Sequence, residues 1–117
     1  MVGITAGQKE QAAGTLRNLA NNKAENKVLI AKAGAIAPLV TLVQSGTAGQ
    51  KEQAAGALAS LAVNDENQVL IAQAGAIAPL VTLVQSGTAG QKEHAAGALK
   101  NLAVNAENKV LIAQAGG

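Results

Sequence analysis

The sequence repeats itself with a period of 41 residues, since residues 25–65 recur as residues 66–106. The two copies differ only at Lys27/Gln68, Lys32/Gln73, Gln53/His94, Ala59/Lys100, Ser60/Asn101 and Asp65/Ala106. Periods of this length are typical of solenoids, arrays and propeller blades, in which one unit buries its apolar face only when a neighbour stacks on it. We therefore expect function on a surface and not in a deep pocket.

The apolar core must be aliphatic. Hydrophobic residues make up 49% of the 117-residue chain, yet Phe, Tyr and Trp are absent and there is one Met. Leu, Val, Ile and Ala therefore have to fill a core that a chain of this length keeps small. The aromatic anchors that dominate many protein interfaces are missing as well.

Charge and cysteine content argue against several kinds of partner. Nine basic and seven acidic side chains give a net charge of +2 and are scattered, with a modest basic excess in residues 1–32. That excess is too thin for the basic stripe of a nucleic-acid binder, and no aromatic platform exists for base stacking. The absence of cysteine removes disulfides and thiolate ligands. We expect no nucleic-acid partner, no metal and no cofactor.

No segment is expected to cross a membrane. The longest uncharged apolar stretch, residues 69–84, is shorter than the roughly 20 residues that a span needs, and Gly75 and Pro79 interrupt it. The N-terminus lacks the charged and apolar regions of a signal peptide. The sequence thus predicts a soluble protein, cytoplasmic if it is natural and recombinant if it is designed.

Glycines divide each period into three segments with helical spacing of apolar residues. The first segment, residues 66–74, follows Asn64 as a candidate N-cap and stops at Gly75, where a left-handed backbone is easiest without a Cβ. The second, residues 76–86, has Pro79 in its first turn, where the missing N–H costs nothing. With the third segment described next, three helices per repeat are predicted.

The third segment, about residues 49–63, follows a capping-box motif in which Thr47 caps the helix and Gln50 reaches back to it. The same motif recurs at Thr5/Gln8 and Thr88/Gln91. The apolar face of this helix comprises Ala54, Leu58, Leu61 and Ala62. The nearly opposite face, which we expect to look outward, comprises Gln53, Gly56 and Ser60.

The order of these segments predicts four parts of the chain. They are 5–22 as a third helix, 23–64 and 65–105 as full repeats, and 106–117 as a first helix. The connection after the earliest third helix holds one residue more than its later counterpart. We expect that residue to loosen the loop at residues 21–24.

These segments resemble armadillo repeats over essentially the whole chain. The motifs that carry the resemblance are Ala-Gly-Ala-Ile-x-Pro-Leu-Val and Ala-Ala-Gly-Ala-Leu-x-Asn-Leu-Ala, at about the period of that family. HEAT repeats are similar but have two helices and a looser pattern. The resemblance implies an all-α, right-handed α-solenoid with three helices per repeat. The near-identity of the copies favours an engineered or excised fragment, which recent duplication could mimic.

The resemblance also implies a binding mode. In armadillo proteins such as catenins and importin-alpha, third helices line a concave groove for extended peptides, and in the importin-like pattern each carries a Trp with an Asn four residues on. The matching pairs here are Gly14/Asn18, Gly56/Ser60 and Gly97/Asn101. Because each Trp is Gly and one Asn is Ser, we expect millimolar or undetectable peptide affinity. The candidate groove residues are Gln11, Asn18, Gln53, Ser60, His94 and Asn101.

Both ends of the chain carry apolar side chains that have lost their stacking neighbours. These side chains are Leu16 and Leu19 at the start, and Val110, Leu111 and Ile112 at the finish. Terminal repeats of solenoids usually present polar outer faces. We therefore expect the chain to associate with itself, either as a two-fold pair or head to tail, and we expect a homodimer.

No catalytic site is apparent in the sequence. His94 is the only histidine and has no Cys or second His as a metal partner. Residues 46–51 superficially resemble a phosphate-binding loop, but they lack its Gly-Lys-Ser/Thr ending and follow a helix instead of a strand. No nucleophile–base pair is visible. The sequence thus predicts a non-enzymatic, self-associating repeat scaffold, and the alternative is a weak binder of extended peptides.

Overall fold

The computed structural model describes residues 5–116, which form eight α-helices joined by short turns and contain no strand. The helices are α1 (Ala6–Asn22), α2 (Ala24–Lys32), α3 (Ile36–Ser45), α4 (Ala48–Leu61), α5 (Asp65–Gln73), α6 (Ile77–Ser86), α7 (Ala89–Leu102) and α8 (Ala106–Gln114). The predicted all-α class is therefore confirmed. We name α1, α4 and α7 the third helices, α2, α5 and α8 the first helices, and α3 and α6 the second helices.

Each third helix begins at the predicted capping box. In α4, Gln50 N donates to Thr47 Oγ1 at 3.2 Å, and Thr47 N donates to Gln50 Oε1 at 2.9 Å. The same reciprocal bonds open α1 at Thr5 and α7 at Thr88. These bonds satisfy backbone donors that the start of a helix otherwise leaves without a partner.

Each first helix ends at a glycine with a left-handed backbone. Gly34 and Gly75 have φ angles of 86° and 85°, which only glycine adopts at little steric cost. After α2, Gly34 N donates to Ala31 O at 3.0 Å, and Ala35 N donates to Ile30 O at 3.3 Å. This Schellman motif closes the helix, and the chain then bends by 84° into α3.

The predicted loop at residues 21–24 is wrong. Helix α1 continues through Asn22, Lys23 alone is extended with a φ of −141°, and α2 follows directly. Asn21 remains helical and accepts a hydrogen bond from a side chain of α4. Lys23 has no acceptor with which to cap α2, whereas Asn64 caps α5 at the same position through its side chain. The extra residue therefore lengthens a helix instead of a loop.

The third helices stack side by side in the order α1, α4, α7. Helix α4 lies between its two neighbours and is the most buried helix, and each second helix packs on the third helix that follows it. The core consists of Ala, Leu, Ile and Val side chains. Among residues 5–116 no single helix is long and apolar enough to cross a membrane, although two helix pairs bent by 84° and 86° meet the length and composition criteria together.

Candidate functional site

A first row of hydrogen bonds joins neighbouring third helices. Gln50 Nε2 donates to Ala6 O at 2.8 Å, and Gln91 Nε2 donates to Ala48 O at 2.9 Å. Gln50 and Gln91 are buried, whereas Gln8 at the same position of α1 is exposed. The capping-box glutamines thus also hold the stack together, and the row is open at the outer side of α1.

A second row of hydrogen bonds joins neighbouring first helices. Asn67 Nδ2 donates to Lys27 O of α2 at 3.0 Å, and also to the carbonyl of the last residue of α4 at 3.1 Å. Asn108 repeats both bonds one repeat later. Asn26 holds the same position in α2 but, within residues 5–116, donates to Leu19 O alone. The cross-repeat half of the motif is therefore unmade at Asn26.

Glutamate side chains complete the contact between third helices. The carboxylate of Glu10 lies so close to Gly49 that a Cβ there would collide with it, and Glu52 lies over Gly90 in the same way. Gly49 and Gly90 are the second residues of α4 and α7, so both carboxylates lie at the positive end of a helix dipole. Their counterpart on α7, Glu93, is exposed.

The candidate groove residues lie on one face of the third helices, and α1 fills this face at the α1–α4 junction. Arg17 lies over Gly56, where a Cβ would meet Arg17 Cδ at 2.7 Å, and its Nη1 donates to Gln53 Oε1 at 3.2 Å. Ser60 is 8% exposed, and its hydroxyl lies within hydrogen-bond reach of Asn21 Oδ1 and Gly56 O. The prediction that Gly56 and Ser60 look outward is wrong because side chains of α1 cover them.

The same face is open at the α4–α7 junction. Ala59 stands there at the sequence position of Arg17. Among residues 5–116, no atom outside the backbone of α7 lies within 4 Å of a Cβ built on Gly97. His94 is three residues before Gly97 and Asn101 four residues after it, so both share its side of α7. Asn101 Nδ2 donates to Ala59 O at 2.8 Å. We call this open region the Gly97 shelf.

The six candidate groove residues therefore have different surroundings. Gln11 and Asn18 are exposed on α1; Gln53 is half-buried and bonded to Arg17; Ser60 is buried; His94 and Asn101 are half-buried at the Gly97 shelf. Within residues 5–116 no group of three His, Cys, Asp or Glu side chains is placed to hold a metal ion. The structure thus places His94 and Asn101 on the same open surface of α7.

Sequence reasoning missed Arg17 and Asn21 as residues that shape this face. Both depart from the repeat, since the later copies have Ala59/Lys100 and Val63/Val104 at these positions. That departure is the signal that could have identified them, because a side chain that occurs in one copy only can make contacts at one junction that the other junction lacks.

Leucines of α1 are more exposed than the leucines at the same positions of α4. Leu58 and Leu61 of α4 are both 0% exposed. At the same positions of α1, Leu16 is half-buried and Leu19 is 44% exposed. Since the sequence positions correspond, the difference comes from the neighbours and not from the side chains.

Alanines show the same effect at both ends of the stack. Ala54 and Ala55 of α4 are each 0% exposed. The counterpart of Ala54 on α1, Ala12, is exposed, and so is the counterpart of Ala55 on α7, Ala96. Ala12 therefore marks the outer face of α1, and Ala96 marks the outer face of α7.

The candidate association residues of α8 behave differently from one another. Leu111 is 44% exposed, as is its counterpart Leu70 in α5, whereas Val110 is 55% exposed and its counterpart Val69 is 39% exposed. Ile112 is half-buried, whereas its counterpart Ile71 is 0% exposed. The exposure of Leu111 is thus common to the repeats, Val110 is more exposed than its counterpart, and Ile112 is the one of the three that is buried in the interior repeat and partly uncovered at the end.

Apolar cavities line both ends of the stack. A cavity of about 400 Å³ between α1 and α3 shares Leu16 and Ala35 with one of about 280 Å³ between α1 and α2. We call these two the N-terminal groove; its apolar lining includes Ala12, Leu16, Leu19, Leu29, Leu39 and Leu42. The C-terminal groove, about 360 Å³ on α6, α7 and α8, includes Ala96, Leu99 and Ile112.

Similar solved structures include engineered and designed proteins. An engineered protein from the Northeast Structural Genomics Consortium is 31% identical, with a TM-score of 0.90 over 98% of this chain. A second from the same source is 32% identical, with a TM-score of 0.92 over 99%. A designed armadillo repeat protein in complex with the peptide (KR)4 is 28% identical, with a TM-score of 0.90 over 97%. This chain spans 48%, 29% and 48% of their respective lengths.

The family follows from the sequence match and the fold together. No curated protein is significantly similar to this sequence. The engineered neighbours and the near-identity of the copies are consistent with an engineered array. Residues 23–63 and 64–104 each match the model of the armadillo/beta-catenin-like repeat, and the stacked helices form the solenoid of those neighbours. The chain therefore belongs to the armadillo repeat family.

Proposed function

We propose that this chain is a non-enzymatic interaction scaffold that associates head to tail with a second copy of itself. The observation that carries the proposal is the exposure of Ala12 and Ala96, whose counterparts Ala54 and Ala55 are 0% exposed in the interior. If α1 of one copy stacks on α7 of another, both alanines are covered as they are in α4. Leu16, Leu19 and Ile112 lie on the same end faces.

Polar groups fit the same head-to-tail register. Gln8 of the second copy would donate to the carbonyl of Ala89, as Gln50 does to Ala6. Glu93 would lie over Gly7, as Glu10 does over Gly49. None of residues 5–116 has an atom outside the backbone of α1 within 4 Å of a Cβ built on Gly7, so the described part of the chain leaves space for that carboxylate. A two-fold pair would not align these groups.

We also propose the division of the chain into two full repeats, 23–64 and 65–105, with 5–22 as a third helix and 106–117 as a first helix. The family match to residues 23–63 and 64–104 supports this division. A head-to-tail contact would then join the third helix α7 to the third helix α1, which is the contact that the solenoid already uses twice.

Two variants test the association and its symmetry. Ala12→Arg blocks the outer face of α1, and Ala96→Arg blocks the outer face of α7; both side chains are exposed, so folding is preserved. Val104→Arg is the matched control, because Val104 is 68% exposed and its internal counterpart Val63 is 60% exposed. Molar mass is measured by light scattering for each variant and for an equimolar mixture of the two alanine variants.

Head-to-tail association predicts that each alanine variant is a monomer, that their mixture forms a dimer and stops there, and that Val104→Arg associates like the parent chain. A two-fold pair would instead leave one alanine variant dimeric by itself and give no mixed dimer. Monomeric parent chain at every concentration would overturn the proposal as a whole.

A second candidate function, binding of extended peptides, is favoured by the Gly97 shelf. His94 and Asn101 flank that shelf, and the solved designed armadillo protein in complex with (KR)4 shares the fold. The remaining candidate residues of the peptide groove are Gln11, Asn18, Gln53 and Ser60. Arg17 blocks the equivalent shelf at Gly56, so we propose weak binding centred on the α4–α7 junction.

Anisotropy of a labelled (KR)4 peptide tests this candidate. We expect millimolar affinity, a several-fold loss in Asn101→Ala, and a gain in Arg17→Ala because that change opens a second shelf. Val104→Ala serves as the control. Absence of saturation at several millimolar peptide, or identical affinities in all variants, would rule the groove out.

A further inference from the structure

We propose that the N-terminal groove binds an amphipathic helical hairpin of the α5–α6 type, with a first helix on α1 and α2 and a second helix on α1 and α3. The site lies on a single chain and requires no second copy. It is distinct from the groove face of the third helices, and it does not rest on the head-to-tail association.

The structure already shows this occupant on the equivalent surfaces. Helix α3 packs on α4, and α6 packs on α7, while α2 and α5 contact those same third helices. Under that cover Leu58 and Leu61 are 0% exposed. Leu16 and Leu19 present the same side chains at the same positions of α1, and they line the groove. A hairpin there would continue the internal interface by one step.

The groove also offers a specific hydrogen bond. In the interior, Asn108 Nδ2 donates to Gln68 O of the preceding first helix at 3.0 Å, and Asn67 donates to Lys27 O in the same way. Asn26 lines the groove and makes no such cross-repeat bond within residues 5–116. A docked first helix would supply the backbone carbonyl that this amide lacks, which fixes the register of the hairpin along α2.

Charge favours the same occupant. Residues 64–87, which contain α5 and α6, carry Asp65 and Glu66 and no basic side chain. Residues 5–32, which contain α1 and α2, carry five basic and two acidic side chains, and Lys9 lines the larger cavity. The two segments therefore have opposite net charge, which speeds their encounter.

A second copy of the chain does not fill this site. In a head-to-tail pair the partner would bring its α8, a first helix, next to α2. It would bring no second helix to the cavity between α1 and α3, because α8 is followed in the stack by the third helix of the next copy. The stacked α7 would cover Ala12 at one side of the larger cavity of about 400 Å³ but would place no second helix against α3, and so the hairpin is the occupant that closes both halves of the groove.

The test uses a fluorescently labelled synthetic peptide of residues 64–87, titrated with the Ala96→Arg chain and followed by anisotropy. This chain keeps its N-terminal groove and cannot stack head to tail through α7. Two groove variants are made in the same background: Ala12→Arg obstructs the larger cavity, and Leu19→Glu charges the smaller one. Both side chains are exposed, so circular dichroism should show unchanged helicity. Val104→Arg is the control.

We expect saturable binding that falls at least tenfold in each groove variant and is unchanged in Val104→Arg. We also expect that a peptide with Leu80 and Val81 changed to Glu binds at least tenfold more weakly. No saturation at millimolar chain concentration, or equal affinity for groove variants and control, would overturn the proposal. The mass of the parent chain without peptide reports separately on self-association, so the two proposals fail independently.

Discussion

Helices α1 and α4 carry almost the same sequence and have very different surroundings. Residues 6–14 are identical to residues 48–56. Only Ala13 and Ala20 are buried in α1, whereas α4 buries Gln50, Ala54, Ala55, Gly56, Ala57, Leu58, Ser60 and Leu61. The difference teaches that burial in this solenoid is supplied by the neighbouring repeat, so that one sequence forms a core in the middle of the stack and an exposed apolar surface at its edge.

The largest expected difference in stability between α1 and α4 is that between two leucine truncations. Leu61→Ala should lower the free energy of unfolding by about 2–5 kcal/mol because it removes a fully buried side chain, whereas Leu19→Ala at the equivalent exposed site should cost less than about 1 kcal/mol. Urea unfolding followed by circular dichroism, in the Ala96→Arg background to limit association, measures both. Equal losses would mean that α1 is as well covered as α4.

A pair of asparagine variants sharpens the comparison for polar groups. Asn67 is 2% exposed and donates two hydrogen bonds, and its truncation to Ala removes both of these buried bonds. We expect a loss of about 2–3 kcal/mol, against less than about 1 kcal/mol for Asn26→Ala. The same urea titration reports both values. If Asn26→Ala costs as much as Asn67→Ala, the hydrogen bond from Asn67 to Lys27 O of the preceding repeat adds little to stability.

A pair of glycine substitutions compares the two junctions of the groove face. Gly97→Ala should raise stability by about 0.5–1 kcal/mol, because Ala is the better helix former and the site is open. Gly56→Ala should lose most of that gain, since its Cβ would meet Arg17 Cδ at 2.7 Å. Adding Arg17→Ala should restore the gain. If Gly56→Ala alone stabilises as much as Gly97→Ala, Arg17 does not occupy that space.

The smallest expected effect concerns the start of α2. Lys23→Asn should stabilise the chain by about 0.5–1 kcal/mol by giving α2 the side-chain cap that Asn64 gives α5. Asn64→Ala is the reciprocal variant and should destabilise by a similar amount. Thermal unfolding at one protein concentration compares the two. No change in stability in Lys23→Asn would show that a side-chain cap adds nothing to the backbone N–H groups at the start of α2.

The helices could be predicted from the sequence because their boundaries depend on local chemistry. Thr47 with Gln50 starts a helix wherever it occurs, and Gly75 ends one because of its own backbone freedom. The cover over Ser60 could not be predicted in this way. It depends on Arg17 and Asn21, residues of another repeat that become neighbours only when the stack is assembled.

The end faces were partly predictable for the same reason. Apolar side chains without a stacking neighbour point to an exposed end, and Leu19 fits that expectation at 44% exposure. Leu111 has the same exposure as its internal counterpart Leu70, because the first helices lie at the outside of every repeat. Only a comparison of equivalent positions separates an end effect from a property of the repeat.

We propose that the outer faces of α1 and α7 are the two halves of one stacking interface. Light scattering after size-exclusion chromatography tests this most directly, over a hundredfold range of concentration of the unmodified chain. Refractive index gives the concentration, since the chain has no Tyr or Trp. The account predicts a molar mass that rises above the monomer value of 11.5 kDa as concentration increases. A constant mass of 11.5 kDa over that range would contradict it.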